Sequence, residues 1–243
     1  MTRIIIPDDF DQRVFYAVES FWKTRSRQKN RQGPGGLAGQ GNRSAVTGGK
    51  QLDSFVKLFC DLLLLNRVPE KSIFTDFSLE LPGFYRPNKK WDLLVVDRGR
   101  LIIAIEFKSQ IGPSFGNNFN NRTEEAIGSA LDLWTAYREG VFGSYKAPWL
   151  GYFLLLEDCK KSNDPIKANS PHFPVLDEFI GASYKKRYEV FCGKLLLERQ
   201  YNAACFMVSK GLSDGIDYEY PRPDLSCRDF AVSMICAAGS YFT

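Results

Sequence analysis

Two acids and a lysine stand in an order suited to phosphodiester hydrolysis. Asp92 precedes the apolar run Leu93-Leu94-Val95-Val96, and Glu106 and Lys108 close the run Leu101-Ile102-Ile103-Ala104-Ile105. The connection Asp97-Arg98-Gly99-Arg100 predicts a β-hairpin. Side chains alternate faces along a strand, which puts Glu106 and Lys108 on one side and Leu101, Ile103, Ile105 and Phe107 on the other. Folding the hairpin back brings Asp92 beside Glu106. Isolated charges at the mouth of a buried sheet are costly, so two carboxylates and an ammonium gathered there suggest a use. Oxygen-only ligands suit a hard ion such as Mg²⁺, and an adjacent lysine can position or deprotonate an attacking water. A half-buried strand that merely ends in a salt bridge would leave the same string. A second acid-x-Lys, Asp158-Cys159-Lys160, runs into Lys161-Ser162-Asn163-Asp164-Pro165, an exit loop with no acid-bearing partner strand before it. It is the weaker candidate.

The elements that must hold these residues follow from periodicity. Asp11 to Lys23 carries Val14, Phe15, Val18, Phe21 and Trp22 at helical spacing, and Gln51 to Asn66 repeats Leu52, Phe55, Val56, Phe59, Leu62 and Leu63. Ser72 to Leu81 reads as a first strand ended by Pro82-Gly83, and the hairpin follows. After Lys108 comes a polar, asparagine-rich loop, then a helix from about Thr123 to Glu139 with Ile127, Leu131 and Trp134 on one face and Asn121 and Glu124 at its start. Trp149 to Leu156 returns to the sheet as a parallel crossover strand. Beyond it, Val175 to Gln200 reads as two helical pieces, Tyr201 to Ser209 as a short apolar segment of either type, and Arg228 to Phe242 as a terminal helix.

Composition bounds the function classes. The chain has 243 residues, 44% hydrophobic and 25% charged, which suits one main globular domain spanning 1–243. No apolar run is long enough to cross a bilayer, and Pro7-Asp8-Asp9 interrupts the start before a signal core can form, so a cytoplasmic protein with no membrane partner is expected. Six scattered cysteines lack any Cys-x-x-Cys pair and read as reduced core residues. The single histidine, His172, lies between Pro171 and Pro174 with no nucleophile beside it, which argues against serine-hydrolase triads, zinc proteases and His-metal nucleases. The net charge of +4 is modest, but Lys23, Arg25, Arg27, Lys29, Arg31, Arg43 and Lys50 span residues 23–50 without an acid. This glycine-rich stretch reads as a cationic arm that neutralises phosphates, with a solvated linker as the plainer account.

The triplet resembles the Asp…Glu-x-Lys signature of the PD-(D/E)xK nuclease superfamily, apart from Trp91 where proline often precedes the first acid. Helix, three strands, helix, strand is also that superfamily's core order. More of the chain resembles the XhoI group of type II restriction endonucleases: Gly48-Gly49-Lys50-Gln51-Leu52-Asp53-Ser54-Phe55, Trp91-Asp92-Leu93-Leu94-Val95, and Ile105-Glu106-Phe107-Lys108-Ser109-Gln110 running into Gly116-Asn117-Asn118-Phe119-Asn120-Asn121-Arg122-Thr123-Glu124-Glu125-Ala126-Ile127-Gly128. The resemblance implies an α/β (α+β) fold with a mixed sheet flanked by helices. Its nuclease core would span about 51–160, with a basic N-terminal arm and a C-terminal helical region over about 175–243. It implies Mg²⁺ held by Asp92, Glu106 and the main-chain carbonyl of Phe107, with Lys108 serving the water. It further implies a homodimer that cuts double-stranded DNA at the palindrome CTCGAG to leave 5′ overhangs, paired with a protective methyltransferase.

Other assignments have two readings each. Asp53 is placed to add an acid from the helix before the sheet, or simply to begin that helix. Gln110, Asn117, Asn118, Asn120, Asn121 and Arg122 follow the catalytic strand and suit base edges in the major groove, or hold their own loop together. Arg25, Arg27 and Arg31 suit phosphates. A structure-specific repair or recombination nuclease of the same fold is an alternative function. A nucleic-acid-binding protein whose Asp92, Glu106 and Lys108 form only an ion pair is another.

Overall fold

The computed structural model describes residues 4–31, 51–143 and 146–242. Its frame is a six-stranded mixed sheet in the order β1-β4-β5-β6-β7-β8. The strands are β1 (Ile73–Phe74), β4 (Leu93–Asp97), β5 (Arg100–Gln110), β6 (Trp149–Glu157), β7 (Ala203–Ser209) and β8 (Tyr218–Glu219). β2 (Glu80–Pro82) and β3 (Asn88–Lys90) pair with each other as a separate hairpin. The helices are α1 (Phe10–Arg31), α2 (Asp53–Leu65), α3 (Gly116–Arg138), the single turn α4 (Lys160–Asn163), α5 (Tyr184–Leu197) and α6 (Cys227–Phe242). β5, β6 and β7 are mutually parallel and the other pairings antiparallel.

Both faces of the sheet are buried, which accounts for the continuous apolar runs of β6 and β7. Leu93, Val95, Ile103, Ile105, Phe107, Phe153 and Met207 meet α1, α2 and α6 on one face. Leu94, Ala104, Tyr152, Leu154 and Phe206 meet α3 and α5 on the other. The β4–β5 hairpin closes at Asp97↔Arg100 around Arg98 and Gly99, whose φ values of 48° and 73° give the primed turn that matches strand twist.

Several sequence expectations change. The first helix does not stop at Lys23 but runs to Arg31, so Arg25 and Arg27 lie on a helix; the remainder of the basic stretch, the side chain of Arg31, and Gly48 to Lys50 fall outside the described residues. Ser72 to Leu81 is not one strand: β1 ends at Phe74 and the chain leaves the sheet to build β2. Leu101 does not share a face with Ile103, because a bulge between Val95 and Val96 pairs Val95 with Ile103 but Val96 with Leu101. The extra residue reverses the alternation, and Leu101 packs in the α3 cluster. α3 begins at Gly116, so the asparagine run is helical and Asn121 and Glu124 are not its cap. Its buried side is Ala126, Ala130, Leu133 and Ala136, while Ile127 and Leu131 are exposed. Small residues let the helix approach the sheet closely, which outweighs the larger side chains on its other side. The 201–209 segment resolves as the strand β7, so the C-terminal part adds to the sheet as well as supplying helices.

Candidate active site

Register brings the two acids together. Leu93 pairs with Ile105, and the Asp92 amide donates to Ile105 O at 3.2 Å, which sets Asp92 opposite Glu106. Asp92 Oδ2 accepts the Phe107 N–H at 2.8 Å. Glu106 is 2% exposed, and its Oε1 receives Lys108 Nζ at 2.6 Å and Lys89 Nζ at 3.2 Å. Its Oε2 is buried and accepts no hydrogen bond among the described residues. An anionic oxygen left bare in that setting is expensive unless something electropositive completes it.

The charges shift one another. Burial pushes Glu106 upward, but the ammoniums of Lys108 and Lys89 outweigh it and hold the carboxyl below its ordinary value. Burial works against the charge on Lys108, and Glu106 overcomes it and holds the amine above the usual lysine value. Asp92 goes the other way: burial raises it, the Glu106 charge adds to the rise, and the Phe107 N–H and two lysines offset only part. Lys89 is lowered, chiefly by desolvation. Two acids pushed apart in this way, one readily ionised and one resisting, are a common property of sites built for chemistry.

The donor set fits a hard divalent ion. Asp92 and Glu106 offer carboxylate oxygens from adjacent strands, and the bare Glu106 Oε2 is the observation that argues for an ion there. Among the described residues no third His, Cys, Asp or Glu side chain completes a cluster with them. Asp53 opens α2 as an exposed residue. From α3, Glu125 Oε2 comes within 3.7 Å of Lys108 Nζ and takes Arg122 Nη1 at 2.8 Å. Arg122 Nε is buried without a partner among the described residues. Lys89 and Glu125 were not anticipated from sequence. Lys89 arrives on β3, in the stretch between Pro82-Gly83 and Trp91 for which the sequence pattern predicts no element. Glu125 lies three residues after Arg122 on a helix expected to begin only at Thr123.

The remaining sequence candidates distribute unevenly. Gln110 is 1% exposed and donates its amide to Ile111 O and Ser114 O, while its Oε1 accepts the Tyr188 hydroxyl. Asn117, Asn120 and Asn121 are exposed on the first turns of α3, and Asn118 is half-buried. Asp158 accepts from Asn163 and Lys160 pairs with Asp164, so the second acid-x-Lys is spent locally. His172 is exposed in its loop.

The family model for restriction endonuclease XhoI matches residues 30–217. The chain belongs to the XhoI restriction endonuclease family. It is 50% identical over 202 residues to the type II restriction enzyme BstVI of Geobacillus stearothermophilus, covering 80% of this chain and 90% of that protein. It is 45% identical over 197 residues to the type II restriction enzyme XhoI of Xanthomonas vasicola, covering 78% and 77%. The type II restriction enzyme AbrI of Azospirillum brasilense is 46% identical over 166 residues, covering 68% and 74%. No solved structure matches the chain. Membership of the XhoI family makes this a DNA-cleaving hydrolase of the type II restriction class, whose members generally use divalent metal ions.

Proposed function

We propose that this restriction endonuclease hydrolyses DNA with Mg²⁺, using Asp92, Glu106 and Lys108. The observation that carries the reading is the buried, unpaired Glu106 Oε2 beside Asp92, with the Lys108 ammonium 2.6 Å from the other Glu106 oxygen. Asp92, Glu106 and the Phe107 carbonyl are the groups that would hold the ion. When bound, it supplies Lewis acidity at the phosphate and lowers the pKa of a water. Lys108 would position the attacking water in line with the scissile bond: a water-oxygen bond to phosphorus forms as that water gives up a proton to solvent, one P–O ester bond breaks, and the departing oxygen takes a proton from solvent. Lys108 is itself held by Glu106 and Glu125, which fixes its direction. Helix α3 carries Asn117, Asn118, Asn120, Asn121 and Arg122 away from the end of the same strand, suiting them to DNA contact.

Similarity to the type II enzymes supports CTCGAG as the target and 5′ overhangs as the product. A two-fold target favours a homodimer that brings one site to each strand, and a cutting enzyme in the cytoplasm requires a cognate methyltransferase. The chain acts as a single domain. The test is digestion of a plasmid of known sequence with and without Mg²⁺, followed by mapping of the ends. Discrete fragments ending at CTCGAG only with the ion are expected; structure-dependent or metal-independent cutting overturns the reading. Glu106→Ala and Lys108→Ala should each slow cleavage by at least about 100-fold, the range for removing one group that holds or stabilises charge in the transition state, while DNA binding is largely kept.

A further inference from the structure

A small hairpin outside the main sheet delivers one side chain to the hydrolytic carboxylate. β2 and β3 pair through Glu80↔Lys90, Leu81↔Lys89 and Pro82↔Asn88. An isolated two-stranded hairpin is marginal on its own, yet this one is clamped at both ends. At its tip, Asp132 of α3, buried among α3's inward residues, accepts the N–H of Phe84 at 2.7 Å, that of Tyr85 at 2.8 Å and Arg86 Nε at 2.7 Å. At its base, the Trp91 amide donates to Leu79 O at 2.9 Å, and both side chains are buried. Between the clamps, Lys89 Nζ lies 3.2 Å from Glu106 Oε1, 3.2 Å from Lys90 O and 4.4 Å from the centre of the Trp91 ring. Lys108 already serves Glu106 Oε1 at a shorter distance, so that oxygen does not require a second ammonium. An ammonium has three N–H groups, and two of those on Lys89 have oxygen partners. Its side chain keeps 14% of its surface open to solvent.

We propose that Lys89 is a second catalytic ammonium, resting on Glu106 and contacting a non-bridging oxygen of the scissile phosphate when DNA is bound. No bond to Lys89 is made or broken. It offsets charge that builds on the phosphoryl oxygens during attack, a role suited to a compact, point-like cation. The inference rests on Glu106 and Lys108 being the hydrolytic pair.

The test uses Lys89→Gln, which keeps a donor for Glu106 and removes the charge, beside Lys89→Arg and Glu106→Gln, on a duplex carrying the mapped cleavage site. In single turnover at saturating DNA and Mg²⁺, Lys89→Gln should cut about 100-fold more slowly, with about a tenth of wild-type speed or more regained in Lys89→Arg. The second readout is binding in EDTA to a duplex whose scissile phosphate is replaced by a neutral methylphosphonate. Wild type should lose about tenfold in affinity and Lys89→Gln less than about twofold, because the two charges act as a pair. Cleavage by Lys89→Gln within about threefold of wild type, or equal methylphosphonate penalties in both proteins, overturns the proposal. Unimpaired cutting by Glu106→Gln would instead overturn the hydrolytic pair itself. Should Lys89→Gln fail to fold, Asp132→Asn loosens the mount with Lys89 in place and must slow cleavage at saturating DNA about tenfold; wild-type speed there overturns the proposal.

Discussion

Asp132 does at the hairpin tip what no neighbour in sequence could do. Its carboxylate gathers two backbone N–H groups and a guanidinium from residues more than forty positions away. Burial pushes its carboxyl upward, but the Arg86 bond and the Tyr85 and Phe84 amides outweigh it and hold it below the ordinary 3.8. Ionisation therefore stabilises the fold at neutral pH, and that contribution is lost as pH falls below 3.8 through the lowered value. Asp132→Asn should cost about 2 kcal/mol at pH 7 by urea unfolding, and the gap to wild type should close towards pH 3. A gap that persists or widens in acid would contradict this. Gly83 belongs to the same clamp: a Cβ there would fall on the Asp132 carboxylate and lie 2.8 Å from Arg86 O. Gly83→Ala should open the clamp and slow cleavage as Asp132→Asn does, readable in the same single-turnover assay.

At the scale of elements, β5 is the hub, pairing antiparallel with β4 and parallel with β6 while carrying Glu106 and Lys108. Packing beneath it fixes the strand. Phe59 of α2 lies 5.7 Å from Phe107, 6.1 Å from Phe153 and 5.1 Å from Phe230, ring centre to ring centre. Phe59→Ala should destabilise the enzyme by about 3–5 kcal/mol, the usual cost of emptying an aromatic core position. Gly151 on β6 is closely covered: a Cβ would stand 2.5 Å from the Trp149 ring and 2.6 Å from Phe230. Gly151→Ala should cost about 1–3 kcal/mol through overpacking, measured by thermal or urea unfolding. A neutral effect would mean that α6 sits less tightly on the sheet than these distances imply.

For the whole molecule, the question is how a chain with a net charge of only +4 engages a polyanion. Charge distribution answers it better than the total, since α1 carries Arg25 and Arg27 towards the basic stretch that follows. If both meet phosphates, Arg25→Ala with Arg27→Ala should lower the slope of log affinity against log salt by about 2. The loss of affinity is then larger at low salt than at high salt, because fewer counterions are released. An unchanged slope, measured by titration at several salt concentrations, would remove α1 from the DNA interface.

The sequence by itself determined the parts encoded locally. Alternation and the Asp-Arg-Gly-Arg turn specify the β4–β5 hairpin and bring Asp92 near Glu106, while the register shift at the Val95/Val96 bulge, from Asp97↔Arg100 to Leu93↔Ile105, sets the two acids directly opposite. Helical spacing likewise gave α2, and the helix between β5 and β6 gave their parallel crossover. Only tertiary structure decided what depends on distant elements meeting. The bulge that turns Leu101 over, the alanine side of α3 and the enclosure of Gln110 follow from how tightly helices seat on the sheet. Lys89 reaches Glu106 because Asp132 and Trp91 pin a separate hairpin against that seat. Such meetings are set by packing across the chain, and no local pattern of residues records them.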